Sequence, residues 1–248
     1  MTHPSVIIFA FFNEGASHHP ESAPAYAAMA SALRSRNTGR LVSWASNRVN
    51  ASIGWSRGLP DLNLHLADVV SFNWYPGWYE CHVPGALHPP TPAGPNCLPP
   101  TPEKWWQDKA EWAANAWPQK PFLISETGAA GIAGWHNGTA IQDFALHCVW
   151  PGRDEPCWSE EFQRVIVASD VAAVTRPQQP AAAIIAGISI WQFADSQDNR
   201  GNCTSAAECN RLDTYRPHAL NSKGMLTGWR QPKESYHAVS ALFTKATE

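Results

Sequence analysis

The sequence predicts an α/β fold, a barrel of parallel strands wrapped by helices, and three observations carry that expectation. Strand-like and helix-like segments alternate along the chain, several strand-like segments are apolar throughout, and three of them close on polar residues in the same manner. Strands that are apolar throughout belong to parallel sheets covered by helices. Barrels gather functional side chains at the C-terminal ends of their strands, as doubly wound sheets also do. Neither G-x-G-x-x-G nor G-x-x-x-x-G-K-[ST] occurs to hold a nucleotide, which favours the barrel.

The first strand is read at residues 6–12 (VIIFAFF), a short run rich in β-branched and aromatic residues. Residues 23–36 (APAYAAMASALRSR) read as a helix, rich in alanine and basic at the C-terminal end. Residues 40–46 (RLVSWAS) and 68–75 (DVVSFNWY) are the second and third strands. Residues 83–102 hold eight prolines and two glycines, which marks a stiff, irregular surface loop. Thr101-Pro102-Glu103 opens a helix with a capping hydroxyl, a first-turn proline and an acid, and that helix runs to about Trp117. Residues 121–126 (PFLISE) form a fourth strand, 158–174 a long helix, 184–193 (IIAGISIWQF) a fifth strand, and 233–245 a last helix.

Composition narrows the function classes. The 248 residues are 44% hydrophobic and 16% charged, with a net charge of -3, which suggests neither a nucleic-acid partner nor an anionic membrane surface. No apolar run reaches the ~18 residues of a membrane span. Thirteen tryptophans are unusual; indole faces stack on pyranose rings, and they also fill cores. Six cysteines (Cys81, Cys97, Cys148, Cys157, Cys203 and Cys209) fall as three neighbouring pairs without C-x-x-C spacing, which reads as local disulfides rather than a metal or redox site. Acceptor sequons at Asn50, Asn137 and Asn202 point with them to a secreted, extracellular or lysosome- or vacuole-like setting, although no signal peptide is visible. No metal-ligand cluster or cofactor motif appears, so none is expected.

The central chemical feature is a pair of glutamates, each closing a strand. Glu14 follows Asn13 and precedes Gly15; Glu126 follows Ser125 and is trailed closely by Gly128. Two facing carboxylates are the minimal machine for cleaving a glycosidic bond, one protonated to assist departure of the aglycone and one ionised to attack or to activate water. A separation of about 5–5.5 Å gives retention and about 6.5–9.5 Å gives inversion. Either glutamate alone reads as an ordinary strand-end ion-pair partner.

These residues, with NWYPGWY (73–79), GIAGWHN (131–137), WSEEFQ (158–163), IWQFAD (190–195) and LNSKG (220–224), resemble glycoside hydrolase family 2, and within it the β-glucuronidases. The resemblance covers nearly the whole chain. It implies that Glu14 is the acid/base and Glu126 the nucleophile of a retaining double displacement on terminal β-D-glucuronides. Asn13 would hold the sugar 2-hydroxyl and Tyr75 would orient the nucleophile. Tyr79, Trp78 and Trp191 would shape the sugar cleft, and His136 would lie near it. Asn221 and Lys223 match the family's Asn-x-Lys, which holds the sugar carboxylate; an ammonium and an amide distinguish a uronic acid from a neutral sugar. Arg216 is a second candidate cation. Gln192 departs from the family's usual Asn. A β-galactosidase, with Asn221 and Lys223 merely structural, is the enzymatic alternative, and a non-catalytic sugar-binding fragment is the alternative of another class.

By the same resemblance, the strand ending in Glu14 corresponds to the fourth of a (β/α)8 TIM barrel. The chain then reads as a single partial catalytic domain over 1–248, strands four to eight. The first three strands, the N-terminal sandwich and the immunoglobulin-like domain would be absent. Five strands do not close an eight-stranded barrel, so the expectation is a truncated product, a complex with another chain such as a homo-oligomer, or a reduced protein.

Overall fold

Five short apolar segments line up as one sheet in the computed structural model, which describes residues 3–36, 39–48, 60–76, 78, 102–136, 159–175, 185–197 and 220–247. The strands are β1 (Ile8–Asn13), β2 (Leu41–Ser46), β3 (Val70–Asn73), β4 (Phe122–Thr127) and β5 (Ile185–Ile190), and their order in the sheet follows their order in the chain. β1 through β4 pair in parallel. The helices are α1 (Ala23–Arg34), α2 (Pro102–Ala116), α3 (Glu160–Thr175) and α4 (Glu234–Thr247). Every strand and helix read from periodicity is therefore present, with ends moved by a few residues. A two-residue ribbon, β6 (Ser196–Gln197) with β7 (Leu220–Asn221), was not foreseen. Its strands are too short to carry a period. No described helix is long and apolar enough to cross a membrane. The six cysteines, the three sequon asparagines, the proline-rich segment before Pro102, Tyr79 and Arg216 lie outside the described residues.

Two compact units divide the chain. The first comprises Met1–Trp74, Gln107–Glu126 and Gln178–Ser189; the second comprises Tyr75–Trp106, Thr127–Pro177 and Ile190–Glu248. In the first, β2 and β3 are buried on both faces, apart from exposed Leu41 and half-buried Ala45 on β2, as interior parallel strands should be. α1 lays Tyr26 and Ala30 into the core, where Tyr26, Trp44 and Phe11 meet ring to ring at 5.0–5.8 Å. The Trp44 indole N–H donates to buried Asp61 at 2.9 Å. Ser43 and Ser71 pair their hydroxyls across β2 and β3 at 2.8 Å. β1, expected to be a buried strand, is half-buried or exposed along its whole length. It stands first in the strand order and, among the described residues, pairs with β2 alone.

The second unit is built around α3 and α4 and holds several buried polar groups. Asp170 on α3 accepts from the Trp106 indole N–H at 2.8 Å and bonds the Thr127 hydroxyl at 3.0 Å. Complete burial pushes its carboxyl up to about 8. Lys233 is fully buried: its ammonium donates to the Gly131 carbonyl at 2.6 Å, the Ser222 carbonyl at 3.1 Å and the Asp195 carboxylate at 2.8 Å. Burial lowers the Lys233 pKa and raises that of Asp195, against the attraction between them.

Asp170 binds its proton more tightly folded than unfolded. Its contribution to stability is therefore full below the unfolded value of 3.8 and is lost as pH rises towards about 8. Asp170→Asn keeps an acceptor for Trp106 and a donor for the Thr127 hydroxyl without a titrating proton. Urea unfolding of the pair at pH 4–8 is expected to show a shallower decline for the variant. Lys233→Met strands the Asp195 charge and should cost about 3–5 kcal/mol; a loss below about 1 kcal/mol in the same assay would contradict that account.

Candidate functional site

Parallel strands bring their C-terminal ends to one edge of the sheet, and there the first unit collects Asn13 and Glu14 after β1, Asn47 after β2, Asn73 at the end of β3, and Glu126 near the end of β4. Asn73 is 1% exposed. Its Nδ2 donates towards Asn13 Oδ1 at 2.9 Å, Glu14 Oε1 at 3.1 Å and Glu126 Oε2 at 3.1 Å. Its Oδ1 accepts from the Ser125 hydroxyl at 2.7 Å, which turns the amide so that Nδ2 faces the carboxylates. Asn47 Nδ2 donates to the second Glu14 oxygen, Oε2, at 3.2 Å. One nitrogen thus lies within hydrogen-bond distance of both carboxylates.

Local backbone features aim these groups. The β1–β2 register shifts between Ala10 and Asn13, and the β3–β4 register shifts between Phe72 and Asn73. Such bulges redirect side chains beside functional sites. Glu14 sits at φ 51°, a left-handed conformation disfavoured for a side-chain-bearing residue, and its N–H is fixed on the Ala45 carbonyl at 2.8 Å. Gly15 follows because a Cβ there would lie 2.6 Å from the Tyr26 hydroxyl. Asn13 and Asn73 stand two strands apart, about 10 Å at ordinary spacing. Their side chains meet across the end of β2.

The second unit carries the other residues singled out in the sequence. Asn221 is buried, and its Oδ1 accepts the Lys223 backbone N–H at 3.3 Å, an Asx-type turn. Lys223 is 1% exposed, with its ammonium 4.8 Å from the Trp78 ring centre and 5.2 Å from that of Tyr75, within cation–π range of both. Gln163 holds the same turn by donating to the Ala129 and Gly224 carbonyls at 3.0 Å each. Gly224 has no room for a side chain: a Cβ would come 2.0 Å from the Asp195 nitrogen. Gln192 donates through its side chain to the Asn221 carbonyl at 3.2 Å and through its backbone to that of Lys223 at 2.9 Å. Trp191 is 42% exposed beside an open groove that Phe193, Asp195 and Arg230 also line. His136 contacts Glu161 at 3.0 Å, and that hydrogen bond raises the pKa of the imidazole.

The structure therefore brings Asn13, Glu14 and Glu126 together in the first unit, and Tyr75, Asn221 and Lys223 together in the second, with Trp191 and His136 elsewhere in the second. Sequence reasoning missed Asn73 and Asn47 as site residues. Asn73 did leave a signal, as the polar residue closing a buried strand in NWY.

No protein-family model matches the chain. It is similar to β-glucuronidases from Paenibacillus borealis (24% identical over 236 residues, 93% of this chain and 29% of that protein) and Homo sapiens (27% over 234 residues, 94% and 28%). The chain thus spans less than a third of the length of these relatives. Among solved structures it resembles a GH2 β-galacturonidase from Eisenbergiella tayi bound to galacturonate, with TM-score 0.65 and 26% identity, covering 98% of this chain and 34% of that one. A β-D-glucuronidase from Dictyoglomus thermophilum, at 21% identity, shares the fold with TM-score 0.65 over 99% of this chain and 32% of its own. In sequence and in fold, the chain is β-glucuronidase-like, and the family it resembles is glycoside hydrolase family 2.

Proposed function

We propose that the chain carries the catalytic carboxylates of a retaining glycoside hydrolase that acts on terminal β-D-glucuronides. The observation that carries this reading is the Asn73 amide, which donates to Glu14 and Glu126 at once and keeps them at close range. In the first step the Glu126 carboxylate attacks the anomeric carbon as the bond to the aglycone oxygen breaks. Glu14 gives that oxygen its proton. In the second step Glu14, now ionised, takes a proton from water, whose oxygen attacks the same carbon and releases Glu126. Asn13 donates to the sugar 2-hydroxyl region, a contact that strengthens as charge develops.

Recognition of the uronic acid falls to Asn221 and Lys223 in this reading. An ammonium buried beside two aromatic rings offers charged hydrogen bonds of the kind that suit a carboxylate ligand. The β-galacturonidase likeness fits a uronate substrate and makes a β-galacturonide the second reading. The two sugars differ at one hydroxyl and share the carboxylate. The strand order and the parallel pairing support a barrel segment, strands four to eight of a (β/α)8 domain spanning 1–248.

Fluorogenic β-glucuronide, β-galacturonide and β-galactoside offered to the full chain test the assignment. Uronide turnover is expected, abolished in Glu126→Gln. Glu14→Gln should lose about 100- to 10,000-fold, least with aglycones that leave without protonation. Sugar binding without hydrolysis, unchanged in Glu126→Gln, would overturn the catalytic reading in favour of a binding fragment. Lys223→Met should lower kcat/KM for the uronide about 10- to 150-fold, the equivalent of roughly 1.5–3 kcal/mol for a charged hydrogen bond, and leave any galactoside rate unchanged. An equal loss on both sugars would make Lys223 structural.

A further inference from the structure

Outside the carboxylate pair, the second unit holds a separate convergence of ligand-type side chains. His136 ends the turn after β4, Glu161 lies in the first turn of α3, and Glu234 opens α4. Their ligand atoms all lie within 4.8 Å of one another. His136 Nδ1 is 3.0 Å from Glu161 Oε1 and 3.6 Å from Glu234 Oε1. Around an ion held at about 2.0–2.2 Å by nitrogen and carboxylate oxygen, neighbouring ligands stand about 3–3.6 Å apart. A ring nitrogen carrying one proton points it along one line and serves one of these carboxylates well. An ion set among the three atoms serves all of them.

The three positions are pinned independently of the cluster's own contacts. Glu160, buried beside it, accepts the Gly134 N–H on Oε1 at 2.8 Å and the Glu234 N–H on Oε2 at 2.9 Å. The Glu160 N–H donates to the Trp135 carbonyl at 2.9 Å, and Trp135 is buried against Phe162 and Ile166. One side chain therefore ties together the backbones of the turn and of both helix starts. Arg164 Nε binds Glu234 Oε2 at 2.9 Å and leaves Oε1 on the side of the imidazole. This is the second-layer support that orients a ligating carboxylate. His136 is 44% exposed, which gives access from solvent.

We propose that His136, Glu161 and Glu234 form a binding site for a divalent transition-metal ion of the zinc type, clipping the turn after β4 to the N-termini of α3 and α4. One imidazole and two carboxylates balance a dication, and the mixed N and O donors favour zinc-like ions over calcium and magnesium, which take oxygen ligands in larger number. Water completes the coordination on the exposed side. The site is separate in sequence and in chemistry from the Glu14–Glu126 pair, so it stands or falls independently of the glycosidase reading.

The test uses the full chain, stripped with a chelator and then titrated with Co²⁺ by visible absorption and with Zn²⁺ by calorimetry. One equivalent is expected, with weak d–d bands and no thiolate-to-cobalt charge transfer. His136→Ala and Glu234→Gln should each weaken binding at least about tenfold while far-UV circular dichroism stays unchanged. Saturating Zn²⁺ should raise Tm in the parent chain and not in the variants. Failure to bind either ion would overturn the proposal. So would equal affinity in both variants, or a cobalt–thiolate band that places the ion on cysteine.

Discussion

Two carboxylates at close range repel, and whatever holds them there must supply positive potential. In this chain the Arg48 guanidinium attracts Glu14, and the Asn73 amide meets both carboxylates directly. It is buried, its carbonyl is locked by Ser125, and its nitrogen faces Glu14, Glu126 and Asn13 together. A dipolar donor between them lowers the mutual repulsion without adding a further charge. The arrangement requires β1, β3 and β4 to run parallel, because only then do residues from three strands reach the same edge.

The second unit treats buried charge in two ways. Lys233 is held by structure: two carbonyls and Asp195 accept hydrogen bonds from its ammonium, and the turn carrying Asn221 and Lys223 is anchored through the Ser222 carbonyl. Lys223 rests beside the faces of Tyr75 and Trp78. Ring quadrupoles stabilise a cation beside them. The two lysines thus differ in their surroundings: carbonyls and a carboxylate hold Lys233, and aromatic faces flank Lys223. Gly224 makes the geometry attainable, since the Asp195 backbone occupies the space of a side chain.

Packing and polarity are linked at the junctions between elements. Glu160 and Gln163, one turn apart on α3, satisfy backbone groups of loops far away in sequence. Asp170, further along the same helix, bonds the side chains of Trp106 on α2 and Thr127 at the end of β4. α3 therefore contributes its apolar residues to the core and its buried polar residues to the elements around it.

The sequence by itself determined the alternation of strands and helices, the burial of β2 and β3, and the two glutamates as strand-end residues. These follow from local periodicity and composition, which act over a few residues. It paired Glu14 and Glu126 by their matching strand-end positions and by resemblance, because the 111 intervening positions say nothing of distance. Tertiary structure decided that Asn73 is the shared donor, that Asn47 reaches Glu14, and that β5 stops at Ile190 instead of running on to Phe193. There the backbone N–H groups of Trp191 and Gln192 turn to the Thr127 and Lys223 carbonyls. It also left β1 half-exposed, since an all-apolar segment reads as buried whether it has one neighbour or two. Each of these outcomes depends on which residues meet across the fold, and that is fixed by strand order and register rather than by any local run of the chain.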